Sequence, residues 1–296
     1  MTGDTPTLDA FHEKGRELLY LQMRNIDALI HELAPPQANG GKIEVDNDIR
    51  IIVWMLQAIG VSINSVLKLT ESRDMSIRDC FGIARSAAET AVNIAFIAVS
   101  DPAVTERAIQ HMRQKRWRDL KRTGRIGKRN FSVSRKIKAS ITDFPGLEDA
   151  LAEFTTKKGS EIRDWTPETI EQRIGIIEQK SEKAGLLLAS SIFSIYRPSS
   201  ELLHGTFYGV NYFWQGSRDE PVTSREAFEH LWMHDHFITL LSSLLFAVSG
   251  AIYAVATGRQ LQAHFAEQER MLALLRGYTE RIADTDLDSE HEAAVS

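Results

Sequence analysis

Phe237 to Ala256 reads FITLLSSLLFAVSGAIYAVA, twenty residues without a charge, and what surrounds that run decides the fold. Its length is about what crosses the hydrocarbon core of a bilayer, and hydrophobicity on every face fits either a membrane span or a helix enclosed by protein. Arg259 would flank a span as an anchor. Against a span, Ser242, Ser243, Ser249 and Gly250 are small positions that suit close helix packing. The run also continues a helix opened in charged sequence near Ser224. The reading taken here is a long buried central helix, with a membrane-associated protein as the alternative.

Outward from this segment, nearly every stretch has helical period. Leu18, Leu19, Met23, Ile26, Leu29, Ile30 and Leu33 recur at helical spacing within Leu8 to Leu33. Asp46 or Asn47 caps a helix to about Glu71, and Ser76 with Asp79 opens another to about Ser100. Asp101-Pro102 and Thr166-Pro167 each place a cap before a proline at the first helical position. Thr223 to Glu226 forms a capping box ahead of the apolar run. With no run of alternating strands and no internal repeat, the expected fold is all-α, a bundle of about seven or eight helices. It is read as one domain over residues 1–285, with 113–145 as a basic insert and an acidic, disordered tail at 286–296.

The single cysteine, Cys80, excludes an internal disulfide and a cysteine-based zinc site. MTGDTPTLDA lacks the basic and apolar regions of a signal peptide, so a cytoplasmic setting is expected. No cofactor is called for.

Charge is distributed unevenly. Residues 113–138 hold twelve Lys or Arg and one acid, Asp119, in a chain of formal net charge −5, so the remainder is strongly acidic. Arg113, Arg116, Arg118, Lys121, Arg122 and Arg125, interleaved with Trp117 and Phe131, suit RNA or another polyanion. Cations displace phosphate counterions there, and aromatic rings stack on bases. Charge pairing with an acidic partner or with the chain's own acidic body, and a merely solvated connection, remain open.

Two polar stripes punctuate otherwise apolar helices. Arg85, Glu89 and Asn93 share one face, and so do Tyr196, Ser200 and His204. Burying such groups unpaired is costly, so the expectation is that the stripes meet in a buried cluster. Arg85 and Glu89 form an ion pair at i,i+4. His204 is the one residue of the set with a pKa suited to acid–base work near neutrality. His230 and His234, also i,i+4, are weak candidates for a metal, with Glu226 or Asp235 and His204 as further donors. The aromatic group Phe207, Tyr208, Tyr212, Phe213 and Trp214 either closes the end of the bundle or forms a stacking surface.

The order of Arg85-x-x-x-Glu89, Trp165-Thr166-Pro167, Tyr196-x-x-x-Ser200-x-x-x-His204-Gly205 and a long apolar helix resembles the bacterial DUF5677 family of uncharacterised proteins, over roughly residues 45 to 255. That resemblance implies an all-α architecture and a shared polar cluster, and no established activity. Arg197 followed by His204 resembles the arginine–histidine motif of the HEPN superfamily of all-α ribonucleases. Six residues intervene, the upper limit of that pattern, and Pro198 stands where a polar residue is usual and is expected to restart the helix. This second resemblance implies a homodimer and metal-independent RNA cleavage. In it His204 handles a proton, and Arg197 steadies charge developing on the phosphorus. The alternatives are thus a nucleic-acid-associated or interaction protein, a ribonuclease, and a membrane-associated protein.

Overall fold

The computed structural model describes residues 7–36, 45–135, 139–216 and 222–295, with side chains described to residue 283. The chain opens with α1 (Leu8–Leu33), α2 (Asn47–Leu69) and α3 (Ile77–Val99). Next come α4 (Pro102–Asp119), the strands β1 (Lys121–Ile126) and β2 (Arg129–Ser134), a 3-10 turn at Ile141–Asp143, and α5 (Leu147–Glu153). The chain then forms α6 (Ile170–Lys180), α7 (Glu182–Leu203) and α8 (Phe207–Gln215). One continuous rod, Arg225–Arg259, comprises α9 (Arg225–Leu231), a π-helical turn at Trp232–Phe237 and α10 (Ile238–Arg259). The last helix is α11 (Gln262–Val295), whose backbone carries most of the acidic segment expected to be disordered. Helix-favouring Glu and Ala residues there are compatible with that continuation.

The all-α class holds, and the described residues contain ten helical rods where seven or eight were expected. Two of the additions are short, α5 and α8. Another arises because Ser181, in extended backbone, divides α6 from α7 in a stretch read as one helix. Trp165 to Pro167 is a bend, and α6 begins only at Ile170.

Two compact units divide the chain, 1–99 with 170–296 and 100–169, where the sequence suggested one domain with an insert. In the larger unit α10 packs against α3 and α7 and also touches α1 and α11. Leu240, Leu241, Leu244, Leu245, Val248, Ile252 and Val255 are buried around its circumference, each large side chain contributing about 1.5–3 kcal/mol. The small positions have the role their size suggested. A Cβ on Gly250 would lie 2.7 Å from Leu188 Cγ and 3.1 Å from the Ala184 carbonyl, so α7 approaches to backbone distance. Ser191 and Ser243 bond across the same contact, the Ser191 hydroxyl donating to the Ser243 carbonyl at 2.8 Å.

Register among α1, α10 and α11 is set by a buried amide network. Gln22 Nε2 donates to Ser249 Oγ and Gln268 Oε1, both at 3.0 Å, and Asn25 donates to Gln22 Oε1 at 3.0 Å. Three segments, Asn47–Leu69, Ile77–Val99 and Arg225–Arg259, are long and apolar enough to cross a membrane by composition.

Candidate functional site

The smaller unit builds a basic surface on a modest core. Leu147, Ala150 and Phe154 from the α5 region are buried with Ile109 of α4. Several cations of α4 are occupied in holding this core together. Arg107 lies over the Phe154 ring at 4.9 Å and donates to the Trp165 carbonyl at 2.9 Å. Lys115 pairs with Glu161 at 2.5 Å, and that hydrogen bond holds the Glu161 carboxyl below its usual range. Arg118 donates to Gln114 Oε1 and Thr155 Oγ1, both at 2.7 Å. Arg113 reaches Glu106 at 3.4 Å. Trp117 packs edge-on against Phe144, with centroids 5.8 Å apart. Arg113, Arg118 and Trp117, read from sequence as polyanion contacts, therefore have structural partners, whereas Arg116 is exposed.

The rest of the basic stretch is an antiparallel hairpin, a correction to the expectation of no strands. Its register runs from Lys121↔Ser134 to Ile126↔Arg129. Gly127 and Lys128 form the two-residue turn, with Gly127 at φ +60 and no positive φ at Lys128. This is the pattern of a hairpin turn with glycine at its first central position. Every residue of both strands is exposed. Lys121, Arg125, Lys128, Arg129 and Arg135 make no ion pair among the described residues. Arg122 meets Asp119 at 3.7 Å, with both side chains exposed, a pairing worth little in water. A shallow notch of about 340 Å³ is lined by Thr123, Gly124, Asn130, Phe131 and Ser132. Lys128, Arg129 and the turn were not singled out from sequence. The alternation Phe131-Ser-Val133-Ser beside a Gly-x turn was the available signal.

In the larger unit the two polar stripes meet at one point. The Arg85 guanidinium lies 4.1 Å from the centroid of the Tyr196 ring, and its Nε donates to Glu89 at 2.8 Å. The Arg85 side chain is 18% exposed and that of Glu89 43%, so the site is half-open where a buried cluster was expected. Asn93 instead bonds Arg173 of α6. Ser200 and His204, further along α7, make no hydrogen bond to Arg85 or Glu89.

Helix α7 runs unbroken through Pro198, against the expected restart. The proline leaves the Ser194 carbonyl without its helical N–H, while the Ser199 hydroxyl bonds back to the Ile195 carbonyl at 2.6 Å within the unbroken helix. Arg197 and His204 are consequently on one helical face, separated by a rise of about 10.5 Å at 1.5 Å per residue. Both are exposed. The Arg197 guanidinium sits over the Tyr208 ring at 5.7 Å, and His204 is the C-terminal cap of α7.

His230 and His234 stack face to face, with centroids 4.0 Å apart. Among the described residues no three His, Cys, Asp or Glu side chains converge as a metal site. The aromatic group divides. Phe213 is buried against Phe81, and Tyr212 stands edge-on to Phe213. Phe207, Tyr208 and Trp214 remain exposed.

The molecule is thus a multi-helix all-α protein with a second, smaller unit that presents a basic hairpin. It belongs to DUF5677, a family of unknown function, which matches residues 50–221. That span runs from α2 past α8, includes the whole smaller unit, and stops before α10. No curated protein and no solved structure matches the chain.

Proposed function

We propose that this protein binds RNA through the basic hairpin of residues 121–134. The supporting observation is a ribbon of two strands, exposed at every residue, with no acidic residue between Lys121 and Arg135. A two-stranded ribbon is marginal in water on its own, and a purely solvated one has no need of one-signed charge. Phosphate is the partner that such a surface fits best, through release of condensed counterions.

Fluorescence anisotropy of a labelled RNA, titrated with the full chain across a range of salt, tests this. Affinity should fall linearly on a log–log plot, by about 0.7 in slope for each single-strand phosphate engaged. Replacing Lys121, Arg122 and Arg129 together by Gln should flatten the slope by about 2. Salt-independent binding, or a slope unmoved by the triple variant, would sink the reading.

A second reading is metal-independent RNA cleavage. The continuity of α7 through Pro198, which leaves Arg197 and His204 exposed on one face, favours it. Incubating the same RNA with EDTA present tests it. The reading expects cleavage by wild type that His204→Ala abolishes without changing the melting temperature; intact RNA discards it. Both readings take α10 as packed in protein, on the burial of 78% of its apolar window. Recovery of the protein with membranes after carbonate extraction would reverse that assumption.

A further inference from the structure

The hairpin has two unlike faces. Directly paired residues project to the same side, so Arg122, Val133, Gly124, Phe131, Ile126 and Arg129 share one face. Lys121, Ser134, Thr123, Ser132, Arg125 and Asn130 share the other, which is wholly polar. On the first face Phe131 is central and 50% exposed. Ile126 and Val133 occupy two diagonal corners around it, and Arg122 and Arg129 the other two. The two arginines stand about 13 Å apart along the ribbon, at about 3.3 Å per residue.

Gly124, directly across from Phe131, is the informative residue. Glycine inside a strand weakens it and marks a bulge, a bend or a close approach by something else. The pairing is regular through Gly124, which excludes a bulge. Its φ is not in the positive region. Nothing lies within 4 Å of where its Cβ would stand, so no packed neighbour requires its absence. Its effect is to leave the space beside the Phe131 ring empty.

We infer that the Phe131 face is a stacking site for an unpaired nucleobase, with Arg122 and Arg129 holding the phosphates on either side. This rests on the RNA-binding reading above and narrows it to single strands. In a duplex the base faces are hidden in the stack. The centre of this face, Phe131 with Ile126 and Val133, offers a base a ring to stack on and no hydrogen bonds, and its two arginines stand at the corners. An exposed ring flanked by guanidinium groups matches instead the stacking platforms of single-strand binders. Trp117, the other aromatic of the basic stretch, is already packed against Phe144.

The test is anisotropy with the full chain on two labelled RNAs, an unstructured single strand of about a dozen nucleotides and a blunt duplex of the same length. Phe131→Leu keeps an apolar side chain of similar size without the π-face. It should weaken single-strand binding about tenfold, leave duplex binding and the salt slope unchanged, and be rescued by Phe131→Tyr. Gly124→Thr should weaken single-strand binding although threonine favours strand; if the ring merely covers the glycine to stabilise the ribbon, this variant binds as wild type. Single-strand affinity unchanged in both variants, with a loss on neutralising Arg122 and Arg129, would overturn the stacking site and leave RNA binding standing. No RNA binding by the wild type overturns both.

Discussion

His236 should make a separable contribution to the acid destabilisation of the larger unit. It is fully buried in the π-helical turn Trp232–Phe237. The rings of Phe81, Tyr212 and Phe213 surround it at centroid separations of 6.1, 5.2 and 5.1 Å. Neither of its nitrogens makes a well-formed hydrogen bond. Burial pushes its pKa down from 6.5 to about 4, with the Phe213 backbone pulling weakly the other way. The native protein therefore holds this imidazole neutral at pH values where the unfolded chain protonates it. Stability is fully present above about pH 6.5 and is lost as pH falls toward 4. With pKa values of 6.5 unfolded and about 4 native, the loss is about 1.4 kcal/mol at pH 5.5 and about 2.5 kcal/mol at pH 4.5.

His236→Phe removes the titration and keeps an aromatic ring among aromatic neighbours. Urea unfolding from pH 7.5 to 4.5, followed by circular dichroism and tryptophan fluorescence, would compare the two proteins. The variant should lie within about 1.5 kcal/mol of wild type at pH 7.5, the usual range for a volume-conserving swap. It should then lose about 2.5 kcal/mol less by pH 4.5. His12, whose pKa burial also lowers, contributes in the same direction to both proteins and cancels in the comparison. Parallel curves for the two proteins would refute the assignment. His236→Leu, with the same expectation, guards against a packing effect peculiar to phenylalanine.

Four further outcomes are expected. Gly250→Val should cost about 1–3 kcal/mol in urea unfolding, because its Cβ meets Leu188 at 2.7 Å; a neutral effect would mean that α7 and α10 are not packed as described. Glu89→Ala should cost only about 1 kcal/mol, not the 3–5 of a buried pair, since the carboxylate is 43% exposed. A double-mutant cycle of Arg85→Met with Tyr196→Leu should return a coupling of about 0.5–2 kcal/mol for the cation–π contact. Cys80, buried and with its thiol pushed up to about 12, should resist a thiol-reactive dye in the folded protein at pH 8 and react fully in denaturant; rapid labelling of native protein would contradict that burial.

Period and capping made the long helices legible. The small residues of Phe237 to Ala256 correctly suggested contacts between packed helices, because Gly250 and Ser243 are where α7 comes closest. The hairpin was hidden by its own charge. In Lys121 to Ser134 the period-2 signal is confined to Phe131 and Val133, while the cations, which have no preferred period, dominate the composition. The polar stripes were placed correctly on their helices, but spacing along a helix says nothing of its rotation. Arg85 thus meets Tyr196, Asn93 turns to Arg173, and His204 ends α7. His236 gave no sequence signal at all, because its burial depends on Phe81 of α3 and Phe213 of α8, both distant along the chain.

The two units treat polar groups in opposite ways, and that contrast makes their roles separable by experiment. The larger unit pairs Gln22 with Ser249 and Gln268, closes Ser191 on Ser243, and holds His236 neutral within aromatic rings. Substitutions at those positions act on stability. The smaller unit uses Arg107, Lys115 and Arg118 to hold its core; among the described residues the cations of β1 and β2 have no acidic partner except the exposed Asp119 beside Arg122. A surface that carries no folding load is free to change without loss of the fold. Hairpin substitutions should therefore alter RNA affinity at constant melting temperature, and core substitutions the melting temperature at constant affinity per folded molecule. If Arg129→Gln lowers the melting temperature as much as Gly250→Val does, the ribbon is part of the scaffold and the binding role assigned to it falls.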